Sequence, residues 1–445
     1  MRNTLIRDAT IVTMNDQWDV IRGDVRITDD RIVGLGSCAD DDGFVPGEII
    51  EARGSVVLPG FVQTHVHLCQ TLFRGRADDM ELLDWLRTRI WPLEAAHDEQ
   101  SVYVSALLGI GELIQSGTTT LLDMETVHHT DAAFRAMAES GIRAISGKVM
   151  MDRSGDDIPP ALQERTDRSI ADSVALLERW HGYDGGRLQY AFCPRFVVSC
   201  TEELLTAVRD LSDRHQVLVH THASENRGEI ELVERETGMR NVVYLDHIGL
   251  ASPRLVLAHS IWLDDEERDI IRRKGVKVTH CPGSNLKLAS GIAGVPGLLA
   301  SGVQVGLGAD GAPCNNNLDM FQEMRLTAMI HKVQHGPTAM DARTVLRMAT
   351  MGGAEVLGLE RQIGSVEVGK KADLVLLDLN KFHAYPSFDA DIYSRVVYAA
   401  GRGDVDTVLI DGRIVMRGRI VATIDEAAVL RESDAAIGRL LGRLA

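Results

Sequence analysis

The 445-residue sequence predicts an α/β fold: a (β/α)8 barrel with a small β-sandwich formed from both chain termini. Three observations predict it. Eight strand-like runs alternate with helical patterns through the middle of the chain, which favours a parallel sheet closed into a barrel. Five of those runs end in His, Glu or Asp at the carboxyl side, where barrels carry their active-site groups. Strand-like segments also recur at both ends of the chain, where neither set makes a convincing domain alone.

In order, residues 1–57 read as short strands: Ile11-Val12-Thr13, Asp24-Val25-Arg26-Ile27 and Arg31-Ile32-Val33-Gly34-Leu35 alternate or run apolar between turns. Barrel strands are expected at 56–65, 118–124, 143–150, 188–195, 217–223, 254–259, 276–281 and 303–309, in a barrel domain spanning 58–363. Helical spacing at 98–115, 202–215, 264–274 and 318–333 falls between or after them. Residues 364–422 read as strands again, notably 372–378 and 407–415, and join 1–57 in the composite sandwich. Val429, Ala436, Ile437, Leu440 and Leu441 repeat at helical spacing, so 423–445 is expected to be a C-terminal helix. The competing architecture is an open doubly wound sheet. No Gly-x-Gly-x-x-Gly turn follows the first strand, which argues against it.

The chemistry sits at the strand ends. The first barrel strand finishes Thr64-His65-Val66-His67. Residues two apart in a strand share a face, so His65 and His67 emerge side by side and can offer two nitrogens to one metal ion. The fifth run ends His222-Ala223-Ser224-Glu225, the sixth in His259, the seventh in His280-Cys281-Pro282 and the eighth in Asp310-Gly311. Any one of these has a bland explanation as a hydrogen-bonded core residue. Five in chain order, all at the same end of their strands, point to a single site.

Bulk properties narrow the function classes. A formal net charge of −17 argues against a nucleic-acid-binding surface, which needs a basic stripe. The acidic runs Asp29-Asp30 and Asp40-Asp41-Asp42 read as solvated loops. No apolar run reaches the ~18 residues of a membrane helix. The first eight residues lack the apolar core of a signal peptide, so the expected location is the cytoplasm. The expected partners are a small-molecule substrate and further copies of the chain in a homo-oligomer, with no membrane. None of the six cysteines forms a Cys-x-x-Cys pair, against a cysteine zinc site, a redox pair or the small zinc deaminases. Cys69 and Cys281 lie near the strand ends, where the default reading is a small buried hydrophobe.

The motifs Pro59-Gly60-Phe61-Val62-Gln63-Thr64-His65-Val66-His67, His222-Ala223-Ser224-Glu225, Ala258-His259, His280-Cys281-Pro282-Gly283-Ser284-Asn285-Leu286-Lys287-Leu288 and Gly308-Ala309-Asp310-Gly311 together resemble the amidohydrolase superfamily. Gly364-Ser365-Val366-Glu367-Val368-Gly369-Lys370-Lys371-Ala372-Asp373-Leu374-Val375 is also typical, and the resemblance covers nearly the whole chain. It is greatest to the mononuclear branch holding adenosine-type, S-adenosylhomocysteine/methylthioadenosine, guanine and s-triazine aminohydrolases. The resemblance implies one divalent metal ion, zinc or iron, held by His65, His67, His222 and Asp310. It implies that Glu225 shuttles protons, that His259 bonds the attacking water or ligates the metal, and that His280 belongs to the active site. The binuclear branch carries a bridging Lys at the fourth strand end, and none stands at 188–195 here. Lys148, ending the third strand, reads as substrate-facing or salt-bridged.

Hydrolytic deamination adds water to an aromatic carbon and expels ammonia. A divalent ion makes water nucleophilic at neutral pH. Asp310 is placed to take its proton, and Glu225 to protonate the ring and then the leaving amine. Substrate readings rest on fewer residues. Trp91-Pro92-Leu93-Glu94 resembles the stretch whose Glu bonds ribose hydroxyls in nucleoside-deaminating relatives; charge at a helix N-terminus explains Glu94 equally well. Trp85 and Phe73 offer apolar or stacking surface, or simply core. Cys193-Pro194-Arg195-Phe196 departs from the Pro-His of methylthioadenosine-acting relatives and matches the Pro-Arg-Phe of guanine deaminases, so Arg195 is a candidate for reading the heterocycle. The expected substrate is an adenine nucleoside (5′-deoxyadenosine, methylthioadenosine, S-adenosylhomocysteine or adenosine), with guanine second and a chlorinated or aminated triazine third. A catalytically silent assembly protein is the alternative from another class.

Overall fold

The computed structural model describes residues 2–37, 43–155 and 158–444, so Cys38 and Asp40-Asp41-Asp42 lie outside the described residues. Eight parallel strands form the barrel: Phe61–His67, Thr118–Met124, Arg143–Gly147, Leu188–Tyr190, Val219–Ala223, Leu255–His259, Lys277–His280 and Val305–Leu307. Counting them one to eight, the hydrogen-bonded order runs from the fourth back to the first, on to the eighth and down to the fifth. The ring closes where Phe192 bridges Val219: its N–H donates to Leu218 O and its carbonyl accepts from His220 N–H, at 3.0 and 2.9 Å. Strands buried on both faces read as continuous apolar runs, which is how they stood out in the sequence. Helices Glu99–Gln115, Glu202–His215, Asp265–Lys274 and Met320–His335 fall where their apolar spacing put them.

The terminal strands share one nine-stranded, largely antiparallel sheet around a core of its own, which includes Ile6, Ile11, Val25, Ile27, Ile32, Val57, Leu374 and Leu409. The expected runs 143–150 and 188–195 each break into two strands, Arg143–Gly147 with Val149–Met150 and Leu188–Tyr190 with Cys193–Pro194, and two further runs divide as well. The run 56–65 is two strands. Ser55–Pro59 pairs with Leu374–Asp378 in the terminal sheet, and only Phe61–His67 enters the barrel. Gly60 is the crossing point: a Cβ there would lie 2.1 Å from Thr119 Oγ1, so only glycine lets the chain pass. Likewise 407–415 folds into a hairpin, Val405–Ile410 and Arg413–Arg417, at Asp411-Gly412. Both turn residues have positive φ, 48° and 65°, and Asp-Gly is a favoured pair for such turns. The C-terminal helix, Glu426–Leu444, buries Val429, Ala436, Ile437 and Leu440 and leaves Leu441 exposed.

Arg143, at the base of the third barrel strand, ties the two parts together. Its guanidinium grips Asp373 at 2.7 and 3.1 Å and Asp411 at 2.6 Å. Arg143 and Asp373 are buried, so Arg143→Ala strands a carboxylate away from water. The expected cost is about 3–5 kcal/mol, read as a shifted denaturant midpoint. A loss below about 1 kcal/mol would make the contact a solvated pair instead. Among the described residues no helix is long and apolar enough to cross a membrane.

Candidate active site

The strand ends converge as the alternation requires. His65, His67 and His222 bring ring nitrogens within 4.8 Å of one another, and ring nitrogens of His65 and His259 and a carboxylate oxygen of Asp310 lie equally close. Asp310 Oδ1 lies 3.2 Å from His65 Nε2 and 3.3 Å from His67 Nε2. His67 Nε2 is 3.3 Å from His222 Nε2.

The outer nitrogens decide which way the lone pairs face. His67 Nδ1 is 2.7 Å from Met124 O and His222 Nδ1 is 2.8 Å from Arg195 O. A carbonyl only accepts, so both rings carry their proton on Nδ1 and turn a bare Nε2 inward. His65 reaches the same state through His220. His220 Nδ1 donates to Val256 O at 3.1 Å, leaving its Nε2 to accept from His65 Nδ1 at 2.7 Å. His259 Nδ1 bonds Asn285 Oδ1 at 2.8 Å. The Nε2 atoms of His65, His67 and His222 thus turn towards one another, and those of His65 and His259 towards the Asp310 carboxylate. Burial lowers the pKa of His65, His67 and His222, to about 3 for His67, so protons do not relieve the crowding. His65 Nε2 is buried and unpartnered. Atoms about 2.0–2.2 Å from a tetrahedral ion lie roughly 3.4 Å apart, close to the spacings here. The donor set is that of a divalent metal site.

Backbone conformation explains why two similar histidines part company. In-register neighbours share a face, and His222, Ala258 and Thr279 are in register. Thr279 Oγ1 reaches across the barrel to Thr64 O, so that face points inward. His259 and His280, one residue on, belong to the outward face. At His259 the chain turns left-handed, φ 67°, followed by Ser260 at 48°, and the ring swings into the site. His280 stays outward, its ring 5.4 Å from that of His331 on the helix outside. It is not among the residues that line the cavity. Asp310 also has positive φ, 62°, and its Oδ2 accepts from Ser284 Oγ at 2.6 Å.

Glu225 stands opposite Asp310. Its Oε2 is 3.6 Å from His259 Nε2, and its own N–H donates to Glu229 Oε2 at 2.8 Å. Burial, and then Asp310, push its carboxyl well above the usual carboxylate range. These groups open on a cavity. Leu82, Trp85, Leu86, Phe196 and Leu288 supply its apolar wall, and Arg195, Gln70 and Glu229 its remaining polar groups.

Two substrate candidates stand elsewhere than expected. Lys148 is buried, and its Nζ contacts Glu164 at 2.6 and 2.7 Å; it does not reach the cavity, so the salt-bridged alternative holds. Glu94 lies behind the wall. Arg195 Nη1 and Nη2 meet its carboxylate at 2.6 and 3.2 Å, and Gln70 Nε2 donates to it at 2.9 Å. Three donors hold the carboxylate, and Glu94 is not among the residues that line the cavity. Phe73 packs in the core against His97. Sequence reasoning missed His220, Ser284, Asn285 and Gln70. Only His220 carried a signal, forming a second His-x-His with His222.

The amidohydrolase family pattern matches residues 56–415, four-fifths of the chain. The chain belongs to the amidohydrolase family. This amidohydrolase is 41% identical to a 5′-deoxyadenosine deaminase of Methanobrevibacter smithii over 98% of both chains. It is 40% identical to a 5-methylthioadenosine/S-adenosylhomocysteine deaminase of Desulforudis audaxviator, over 98% of this chain and 99% of that one. An adenosine deaminase from Xanthomonas campestris with bound zinc superposes with a TM-score of 0.92 at 33% identity, covering 99% of each chain. Like them, the amidohydrolase acts on C–N bonds.

Proposed function

We propose that the protein deaminates an adenine nucleoside, 5′-deoxyadenosine or methylthioadenosine foremost, to the inosine analogue and ammonia. One observation carries the reading: the converging lone pairs and Glu225 close one end of a cavity whose other walls are largely apolar, in a chain about 40% identical over its length to enzymes named for those nucleosides. His65, His67, His222 and Asp310 would hold one ion, zinc by the neighbour's example. When bound, the ion supplies a water acidic enough to attack at neutral pH. His259 Nε2, which lies near both carboxylates, would orient that water, and Asp310 would accept its proton. Glu225, whose carboxyl burial pushes upward, would donate a proton to a ring nitrogen and so make the adjacent carbon electrophilic. The proton taken up by the carboxylates then leaves with the amine as ammonia.

One observation favours a second reading. Arg195, held by Glu94, and Gln70 both line the cavity. That pair suits the lactam edge of guanine. Ammonia release from 5′-deoxyadenosine, methylthioadenosine, S-adenosylhomocysteine, adenosine, adenine, guanine and an aminated triazine separates the two. Guanine as the best substrate ends the nucleoside reading. Within the same panel Glu94→Ala should lower kcat/KM about ten- to hundredfold on nucleoside and base alike, because it releases Arg195 and Gln70 together. A loss confined to nucleosides would return Glu94 to the ribose.

A further inference from the structure

Two neighbours on the turn after the seventh barrel strand hold Asp310 and His259. Ser284 and Asn285 belong to the short helix Pro282–Lys287. Ser284 Oγ donates to Asp310 Oδ2 at 2.6 Å, and Asn285 Oδ1 accepts from His259 Nδ1 at 2.8 Å. Asp310 thereby divides its oxygens. Oδ1 faces His65 Nε2 and His67 Nε2 and accepts from Gly311 N–H, while Oδ2 accepts from Ser284. Neither Ser284 nor Asn285 is among the residues that line the cavity, so both act from behind the groups that do.

The turn is itself pinned from behind. Glu323, on the helix Met320–His335, is buried. Its Oε2 accepts from Gly283 N–H at 2.9 Å and its Oε1 from Asn315 Nδ2 at 2.8 Å. Asn315 Nδ2 also donates to Ala309 O at 2.9 Å. A closed ring results: from Asp310 to Ser284, along the chain to Gly283, across to Glu323 and Asn315, and through Ala309 back to Asp310. It is tightest at Gly283, where a Cβ would lie 2.6 Å from Glu323 Oε1 and 2.7 Å from Asn315 Nδ2. Burying a carboxyl is costly unless it is hydrogen-bonded, and the bonds Glu323 makes join the loops after the seventh and eighth strands. We propose that Ser284 is a positioning residue for the metal site: its hydroxyl fixes the rotation of the Asp310 carboxylate, and the ring through Gly283, Glu323 and Asn315 fixes Ser284. This rests on Asp310 being a metal ligand, and not on which heterocycle is deaminated.

Groups that hydrogen-bond a ligand typically change metal affinity or activity by about 10–100-fold. The test measures the zinc affinity of metal-free protein by competition with a chromophoric chelator. It then measures kcat and KM of the zinc-saturated protein on the best substrate of the ammonia-release panel. Ser284→Ala should weaken zinc binding and lower kcat by about tenfold or more each, with KM within about twofold of wild type, because the cavity wall is untouched. With cobalt(II) in place of zinc, its visible absorption bands should shift, while the melting temperature of the metal-free protein stays close to that of wild type. Glu323→Gln, which keeps one acceptor oxygen, should move zinc affinity and kcat in the same direction by less. Unchanged zinc affinity in Ser284→Ala overturns the proposal. So does a change confined to KM, which would make Ser284 a substrate contact, or a loss of metal-free stability large enough to account for the lost metal. Should Glu323→Gln not fold, Ser284→Ala alone decides. A wild-type protein that takes up no zinc would instead remove the metal-site reading itself.

Discussion

Asp310→Ala is expected to empty the metal site and abolish turnover. Its Oδ1 lies 3.2–3.3 Å from two of the inward Nε2 atoms, and it is the carboxylate among the proposed ligands. Without it, neutral imidazoles alone would hold a doubly charged ion in a buried pocket, and desolvating that charge is costly. The same residue takes the water's proton, so chemistry fails even where some metal remains. His65→Ala should act alike, since it removes the nitrogen that His220 orients. Elemental analysis after gel filtration, beside ammonia release, checks both variants. Wild type should carry about one ion per chain, and a tight stoichiometry of two would overturn the mononuclear reading. An Asp310→Ala protein that keeps a full equivalent of metal and turns over within tenfold of wild type would remove Asp310 from the ligand set. The side chain bonds Ser284 and its own neighbour Gly311, so the melting temperature should be recorded to separate metal loss from unfolding.

The strand ends were legible because alternation is local. His65 and His67 needed only a period of two, and the apolar runs before them needed only burial on both faces. What was not legible depends on backbone turns or on distant partners. His259 and His280 look alike in sequence, each ending an apolar run. A left-handed residue sends one into the site, and its absence leaves the other against His331. Glu94 and Arg195 lie 101 positions apart, and no spacing rule could pair them. Lys148 meets Glu164 through a loop that carries no periodic signal. The break at Gly60 was hidden for a different reason. Apolar strands of two sheets follow one another with a single glycine between them, and the hydrophobic pattern does not change where the sheet does.

Glu225→Gln should keep the metal and lower the rate by at least ~10²-fold. The two parts of that expectation have separate origins. Retention follows from geometry: Glu225 is in neither cluster of ligand atoms, and its Oε2 lies 3.6 Å from His259 Nε2. Ser224, with φ 53°, turns the chain just after the strand, which carries Glu225 past the ligand positions to the far side of the cavity. Glu229 holds the backbone there through the Glu225 N–H, a contact the amide variant keeps. The rate loss follows from chemistry. A carboxyl whose proton affinity burial raises can give a proton to a ring nitrogen, recover one and pass it to the leaving amine. An amide of the same shape can donate a hydrogen bond but cannot transfer the proton, so binding survives better than turnover. The measurement is kcat and KM with the metal content of the same preparation. A large fall in kcat with near-normal KM and full metal supports the shuttle. Metal loss in Glu225→Gln, with activity restored by excess zinc, would make Glu225 a ligand and leave the proton path to Asp310 and His259.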